Sequence, residues 1–192
     1  MPKIPSNIKI ELPILESDFE ELIKIVSENL VFDKNLTKEY FQSMSSGEIL
    51  LARENTKLVG VIVARRPGKI FSELKDGHFD LENIKFHKKD LGYVAIVVVD
   101  KDCQGKGIGK LLLKEALKYQ KDFGSKAVIT HCWQSSPGHG SQKLFTSFGF
   151  ELLKVHKQPW YEYAKKVGSK GHRCVVCGNP CTCDELEMVK YL

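Results

Sequence analysis

The chain has 192 residues, of which 42% are hydrophobic and 28% are charged, as is ordinary for a globular protein. That length suffices for one well-buried domain with a small appendage. The apolar runs are far shorter than the roughly 20 residues that span a bilayer, and the first residues lack the apolar core of a signal peptide. We therefore expect a cytoplasmic protein with no membrane partner. A formal charge of +5 without a long basic block suits an anionic ligand and makes nucleic acid an unfavoured partner.

The N-terminal part of the chain predicts a strand and two helices. Ile8 to Leu12 alternate between apolar and polar residues, which is typical of a half-buried strand. Ser17 and Glu20 form a capping-box pattern at the start of a helix whose apolar residues share one face: Phe19, Leu22, Ile23, Val26 and Leu30. Residues 37–44 predict a second helix near the surface, because few of them are apolar.

A hairpin and an irregular segment follow. Glu48 to Arg53 and Leu58 to Arg65 are predicted strands, joined by the turn signal Asn55-Thr56. Residues 69–92 have the weakest pattern in the chain. We predict an extended loop there, which packs back on the sheet through its scattered apolar residues.

The middle of the chain predicts a buried strand, a glycine-rich turn and a helix. Val94 to Val99 is an unbroken apolar run of the kind found in strands covered on both faces. Gly105, Gly107 and Gly109 follow, and helical spacing begins at Lys110. Glycines at a helix start let an anion approach the first amide groups, which have no partner inside the helix. The spacing fits neither a P-loop nor the dinucleotide fingerprint, and a ligand-free turn remains the alternative.

The residues from Gln104 to Gly109, in the pattern Q-x-x-G-x-G, resemble the pyrophosphate loop of the GNAT superfamily of acyl-CoA-dependent N-acyltransferases. The resemblance implies that acetyl-CoA places its diphosphate on this loop and its pantetheine arm along the preceding strand. It implies the following coenzyme contacts: Val97, Val98, Val99, Gln104, Gly105, Lys106, Gly107, Ile108, Gly109 and Lys110.

The remaining elements complete an order that looks like the GNAT fold. We predict a helix over Leu111 to Phe123, strands over Lys126 to Trp133 and Phe150 to Val155, a helix over Gln142 to Phe148 between them, and a last strand over Glu187 to Leu192. The expected fold class is α/β (α+β), with a mixed, mostly antiparallel sheet of about six or seven strands and about four helices. We divide the chain into a GNAT core (residues 1–157), a cysteine-rich insertion (158–185) and the last strand (186–192).

The helix after the fifth strand of GNAT proteins carries a second pattern, N-x-x-A-x-x-L-Y-x-x-x-G-F, which this chain matches in part. Its Leu and its Gly-Phe ending are present here, whereas Gly138 replaces the Asn and Phe145 replaces the Tyr. The resemblance implies coenzyme contacts at Gly138, Ser141 and Phe145. Because Phe145 cannot protonate a departing thiolate, His139 and Ser141 are the candidates for catalytic proton transfer.

Aromatic residues near the end of the chain are candidates for the acceptor pocket. Four of them have the size and polar edges that line such pockets, although aromatics at this spacing also occur in cores and rims: Trp133, Trp160, Tyr161 and Tyr163. Of these we predict Trp133, Trp160 and Tyr161 as substrate contacts. His131 and Cys132 lie near the same place and are further substitutes for the missing Tyr, but the favoured interpretation is that they are ordinary strand residues, packed on either face of the sheet.

Four cysteines within ten residues predict a metal site. Cys174, Cys177, Cys181 and Cys183 form C-x-x-C-x-x-x-C-x-C, and four thiolates can surround one tetrahedral Zn²⁺. All four positions are then filled by protein, so the metal is structural and closes a long connection. Disulfides or loose thiols are the alternatives, an Fe–S cluster is a further one, and His172 could replace one thiolate.

These expectations converge on an acetyl-CoA-dependent N-acetyltransferase that transfers an acetyl group to a primary amine by direct attack. The cosubstrate is acetyl-CoA, the structural ion is Zn²⁺, and the protein is a monomer or a homodimer. The alternative is a CoA-binding sensor or interaction module without turnover, which docks through the cysteine-rich insertion.

Overall fold

The computed structural model describes residues 7–73, 79–134 and 140–192. Nine strands and six α-helices lie in these described parts. In chain order they are β1 (Ile8–Glu11), α1 (Glu16–Asn29), β2 (Val31–Asp33), α2 (Lys38–Gln42), β3 (Ile49–Glu54), β4 (Lys57–Arg65), α3 (Ile70–Glu73), β5 (Leu91–Val99), α4 (Ile108–Asp122), β6 (Ala127–Trp133), α5 (Gly140–Ser147), β7 (Glu151–His156), α6 (Tyr161–Val167), β8 (His172–Cys174) and β9 (Glu185–Tyr191).

Seven strands form one sheet in the order β1-β3-β4-β5-β6-β9-β7. Only β5 and β6 pair in parallel, while every other neighbouring pair is antiparallel. The prediction of a mixed, mostly antiparallel sheet is therefore confirmed. The last strand of the chain lies between β6 and β7, so the end of the chain is built into the sheet.

The two parallel strands separate part-way along their length. Their pairing runs from Leu91 opposite Ala127 to Val94 opposite Thr130. Beyond that point β5 continues beside β4, and β6 continues beside β9. A register shift against β4 makes Ala95 a bulged residue at the point of separation. The carboxyl halves of β5 and β6 therefore open a groove in the sheet.

Helices cover both faces of the sheet. α4 buries Leu112, Leu113 and Ala116 on one face, and α1 buries Leu22 and Val26 on the other. Complete burial of one such leucine contributes about 2 kcal/mol of transfer free energy. Among the described helices, none combines the length and the apolar character needed to cross a bilayer.

The structure corrects the predicted start of the first helix. Asp18, rather than the Ser17 and Glu20 pair, makes the capping contacts, because its carboxylate accepts hydrogen bonds from the amides of Ile14 and Leu15 at 2.8 and 2.7 Å. Arg53 donates to the same carboxylate at 2.6 Å. The helix start is thereby tied to β3.

Several short elements were not predicted. The segment 69–92 contains α3 and two 3₁₀ turns where an extended loop was expected. Strands β2 and β8 form a separate two-stranded sheet, in which Val31 lies opposite Cys174 and Asp33 opposite His172. Helix α6 lies in a connection that was expected to bury little, yet its Ala164 is fully buried. Strands β2 and β8, together with Tyr163 of α6, connect the cysteine-rich segment to the α1–α2 connection.

Candidate active site

The groove between β5 and β6 is the large cavity of the described structure, with a volume of about 1180 Å³. Its floor is the strand segment from Val94 to Val99. The turn before α4 and helix α5 contribute to its lining. Aromatic and acidic residues from the last third of the chain, together with the α1–α2 connection, line it as well.

The turn before α4 has the backbone geometry of an anion site. Gly105 and Gly107 have φ angles of +77° and +84°, a region that side chains with a Cβ rarely adopt. Gly107 is the residue immediately before α4, so the first amides of a 15-residue helix follow it. Gln104 Nε2 donates to the carbonyl oxygen of Val99 at 3.1 Å and so ties the turn to β5. Such amides bind phosphate groups.

The structure brings most of the predicted site residues to this one groove. The predicted coenzyme contacts that line it are Val97, Val98, Val99, Gln104, Gly105, Gly107, Ile108, Gly109, Lys110, Ser141 and Phe145. Lys106 and Tyr161 are not part of the lining, whereas Trp133, Trp160 and Tyr163 are. Gly138 and His139 lie outside the described residues.

Two residues of α5 have partners that bear on their predicted roles. Ser141 Oγ donates to the carbonyl oxygen of Trp133 at 3.3 Å, so its hydroxyl helps to hold α5 against the end of β6. Phe145 is buried against Phe150, with ring centroids 5.0 Å apart. An aromatic edge and no hydroxyl therefore faces the groove at this position.

A buried polar cluster, missed by the sequence analysis, lies where β5 and β6 separate. Tyr93 Oη and His131 Nδ1 share a hydrogen bond of 2.9 Å, and His156 Nε2 lies 2.7 Å from a carboxylate oxygen of Glu187. The His131 and His156 rings are 5.3 Å apart. Glu187 is fully buried and also accepts from the amide of Asp80 at 3.0 Å. The hydrogen-bond partners in this cluster are 31 to 107 residues apart, so no short sequence pattern indicates them.

The environment keeps two groups of this region protonated. Burial raises the pKa of the Tyr93 phenol well above its usual value, and the carboxylates of Glu185 and Glu187 reinforce the shift. Burial, with Glu185 again contributing, raises the pKa of the Cys132 thiol to about 12. Cys132 packs on Met188 and is a core residue, as predicted. His131, in contrast, is part of the groove wall.

A carboxyl group also lines the groove. Glu185 is the first residue of β9, and the indole Nε1 of Trp160 donates to its Oε1 at 2.6 Å. Burial raises the pKa of Glu185, while the Trp160 hydrogen bond and the nearby His156 and His172 oppose that shift.

A family comparison agrees with this geometry. The model of the "Acetyltransferase (GNAT) family" matches residues 14–150, which is most of the chain. The chain belongs to the GNAT acetyltransferase family. The GNAT match includes the groove floor, the glycine turn and α5, and it ends before the cysteine-rich segment.

Individual relatives of this GNAT chain are distant. An uncharacterised N-acetyltransferase of Methanocaldococcus jannaschii is 29% identical over 80 residues, and the mycothiol acetyltransferase of Actinosynnema mirum is 34% identical over 74 residues. These segments are 42% and 38% of the present chain, but only 34% and 24% of those two proteins. A chain from the crystal structure of the NatC complex bound to Gag peptide and CoA superposes with a TM-score of 0.67 at 14% identity, covering 97% of this chain and 99% of that one. This last likeness concerns the fold.

The four cysteines of the GNAT chain converge on one point. The Sγ atom of Cys177 lies 3.6 Å from the Sγ atom of Cys181 and 3.4 Å from that of Cys183. The Sγ atoms of Cys174 and Cys183 are 3.7 Å apart. Four sulfurs at about 2.3 Å from one zinc ion are about 3.8 Å from each other in a tetrahedron. The residues present therefore fit a tetrahedral metal ion, and the separations are far longer than the about 2.05 Å of a disulfide.

Hydrogen bonds to sulfur support the thiolate form. The amides of Val176 and Cys177 point at Cys174 Sγ at 3.3 and 3.4 Å, and the amide of Thr182 points at Cys177 Sγ at 3.3 Å. A hydrogen bond from the Cys181 thiol, together with the two amides and against the effect of burial, lowers the pKa of Cys174 below its usual value, while the same hydrogen bond raises the pKa of Cys181. Thiolates are the form that binds metal.

The alternative in which His172 replaces a thiolate does not match the structure. His172 Nδ1 lies 2.8 Å from an oxygen of Asp33, and the group of converging ligand atoms contains the four cysteines without it. Asp33 also receives hydrogen bonds from the amide of Asn35 and the hydroxyl of Tyr163. Burial opposes these contacts, but His172 and the other donors prevail and lower the pKa of Asp33.

Proposed function

We propose that the protein is an acetyl-CoA-dependent N-acetyltransferase that acetylates a primary amine by direct attack. The observation that carries the proposal is the groove itself, because its lining combines the glycine turn with a set of aromatic and acidic residues, which we call the acceptor chamber. The strands β5 and β6, which separate beyond Val94 and Thr130, line the same groove. Acetyl-CoA and an amine can therefore approach one another from opposite sides of the sheet.

In this proposal the coenzyme occupies the half of the groove next to α4. Its diphosphate accepts hydrogen bonds from the amides that follow Gly107, and the ammonium group of Lys110 lines the same region. The pantetheine arm runs beside Val97 to Val99, and Phe145 packs against it. The amides of that strand segment bind the acetyl carbonyl and stabilise its developing negative charge.

His131 is the residue we propose as proton acceptor for the attacking amine. It lies one residue beyond the last paired position of β5 and β6, which is where the thioester reaches the acceptor chamber. When Nδ1–H donates to the Tyr93 hydroxyl, Nε2 is the basic nitrogen that takes the proton. His156 and Glu187 lie behind His131 and fix its surroundings. Orientation of the two substrates supplies the rest of the acceleration.

No phenol is available to protonate the departing thiolate, because Phe145 replaces the usual Tyr. A CoA thiolate is a tolerable leaving group, so transfer does not require an acid there. Ser141 and His139 remain the proposed sources of a proton for it, with Ser141 at the start of α5 in the groove wall.

For residues 158–185, which we call the cysteine clip, we propose one structural Zn²⁺ held by the four cysteines. The ion supplies cross-linking within the clip and no reaction chemistry, because four thiolates fill its coordination sphere. We also propose that residues 1–157 are the GNAT core and that residues 186–192 are the strand that the clip returns to it.

The test is release of CoA thiol from acetyl-CoA with a panel of primary amines, with mass detection of each acetylated product. We expect the His131→Gln variant to lose at least about a hundredfold in kcat/KM, which is the usual contribution of a general base. His87→Gln is the matched control, because His87 is exposed and outside the groove. Equal activity of the two variants would remove His131 from the mechanism.

A second candidate function rests on two departures from the GNAT pattern, at Phe145 and Gly138. A CoA-binding sensor has no need of a phenol or of the usual Asn in those positions. In that case CoA binds, no amine in the panel is acetylated, and the clip serves as a docking surface.

A further inference from the structure

The cysteine clip contributes directly to the groove, which a cross-link that only closes a connection would not do. Four of its residues with polar or aromatic side chains line the groove next to the acceptor chamber: Trp160, Tyr163, His172 and Glu185. Cys181, one of the four clustered cysteines, lines it as well. The clip is therefore a wall of the cavity.

The positions of these rings depend on the cysteine cluster. Trp160 stacks on His172 at 6.0 Å with an angle of 14° between the rings, and Tyr163 meets His172 edge-on at 5.5 Å. Trp160 also packs with Trp133 against the apolar cluster formed by Ala164, Cys174, Cys181 and Cys183. Separation of the four cysteines would remove the packing surface that supports the indole ring of Trp160.

The clip also contacts the α1–α2 connection, which lines the groove as well. Strand β8 pairs with β2, the amide of Val175 donates to the carbonyl of Leu30 at 3.2 Å, and the amide of Lys34 donates to that of Gly171 at 2.9 Å. Asp33 is fixed by His172 at 2.8 Å. The α1–α2 connection therefore depends on the same segment as the aromatic wall.

Charges are distributed unequally along the groove. Lys110 and Lys143 line the groove from α4 and α5, whereas Asp33 and Glu185 line it from β2, which pairs with the clip strand β8, and from the end of the clip. Aromatic rings beside a carboxylate attract cations through their negative faces, and such a contact contributes about 0.5–2 kcal/mol. The clip half of the groove thus fits a positively charged amine.

We infer that the cysteine clip forms the acceptor subsite, in which Trp160 and Glu185 bind a cationic amine and whose shape depends on the metal held by the four cysteines. The assignment of this amine as the acetyl acceptor rests on the proposed function. Binding of the amine does not, because it needs neither acetyl-CoA nor turnover. Metal occupancy would then control acceptor binding and leave the coenzyme half of the groove unchanged.

The test is calorimetric titration of the zinc-reconstituted full chain with putrescine, with the corresponding uncharged diol, and separately with CoA. We expect putrescine to bind and the diol to bind at least about tenfold more weakly, which matches the loss of one ion contact. After removal of zinc by a chelator, putrescine affinity should fall at least tenfold, while CoA affinity stays within about twofold.

If chelation unfolds the chain, two variants of the zinc-loaded protein test the role of Trp160 and Glu185 in amine binding. Glu185→Gln removes the charge, and Trp160→Phe keeps a ring but removes the indole N–H that orients Glu185. Both should weaken putrescine about tenfold and leave CoA affinity unchanged. Glu151→Gln, at an exposed position of β7, is the control that should change neither affinity.

The outcomes separate this inference from the proposed function. Equal affinity for putrescine and the diol, or unchanged putrescine affinity in both groove variants, would overturn the inference whether or not the protein acetylates amines. Zinc-dependent putrescine binding without any acetyl transfer would support the inference and contradict the transferase proposal.

Discussion

Replacement of Gly109 by alanine should change stability and coenzyme affinity in opposite directions. Gly109 is the second residue of α4 and has no positive φ, so the helix accepts an alanine there. A Cβ at this position would lie 3.5 Å from Leu144 Cδ2 and 3.8 Å from Val99 Cγ2, which are ordinary contact distances. Alanine is preferred to glycine within helices by about 0.5–1 kcal/mol. The variant should therefore unfold about 1–4 °C higher than the wild type.

The same methyl group should weaken coenzyme binding. Gly109, Leu144 and Val99 all line the groove, so the added carbon stands between α5 and β5 where we place the coenzyme. Excess volume in a packed site costs about 1–3 kcal/mol, which corresponds to roughly a fivefold to 150-fold increase in Kd. Thermal unfolding without ligand and calorimetry with CoA measure the two effects separately.

Gly124→Ala is the matched control at the other end of α4. Gly124 has a φ of +81° and no atom within 4 Å of an added Cβ, so the variant should lose about 1 kcal/mol through backbone strain alone. Its CoA affinity should equal that of the wild type. A Gly109→Ala variant that binds CoA as tightly as the wild type would refute our placement of the coenzyme beside this turn.

Three further predictions concern other parts of the structure. Asp18→Asn should cost about 1–2 kcal/mol at pH 7, because the carboxylate caps α1 and pairs with Arg53. Burial raises the pKa of Asp18, but two backbone amides and Arg53 outweigh burial and lower the pKa below 3.8. The stability that Asp18 contributes is therefore complete above the pKa of the unfolded state and is lost as the pH falls through the pKa of the folded state. Acid titration monitored by circular dichroism should show a smaller loss of stability in the variant. Cys177→Ser should remove bound zinc and lower the melting temperature, as measured by metal analysis and calorimetry. Phe145→Tyr should increase the rate of thiol release if a phenol assists departure, and an unchanged kcat would show that the thiolate leaves unaided.

The elements with strong periodicity could be predicted from the sequence. The apolar run that became β5, the glycines before α4 and the helical spacing after them could be predicted because each signal lies within a few neighbouring residues, and they form the part of the groove in which we propose the coenzyme. The four cysteines are likewise close in sequence, and they converge in the structure.

The buried polar cluster and the contacts of the clip, beside the proposed acceptor chamber, could not be predicted in this way. Tyr93, His131, His156 and Glu187 come from four different strands and meet only because β9 inserts between β6 and β7. The pairing of β2 with β8 joins two three-residue strands that are too short to show periodicity. Tyr163, rather than Tyr161, faces the groove because the position of α6 on the cysteine cluster decides which face turns inward.

The most direct measurement is calorimetric titration of CoA into the wild-type protein and into the Gly107→Glu variant. The account predicts one-to-one binding with a micromolar Kd for the wild type and no measurable binding for the variant, whose carboxylate occupies the diphosphate position. No heat with the wild-type protein, or the same Kd for both proteins, would contradict the assignment of the glycine turn as the coenzyme site.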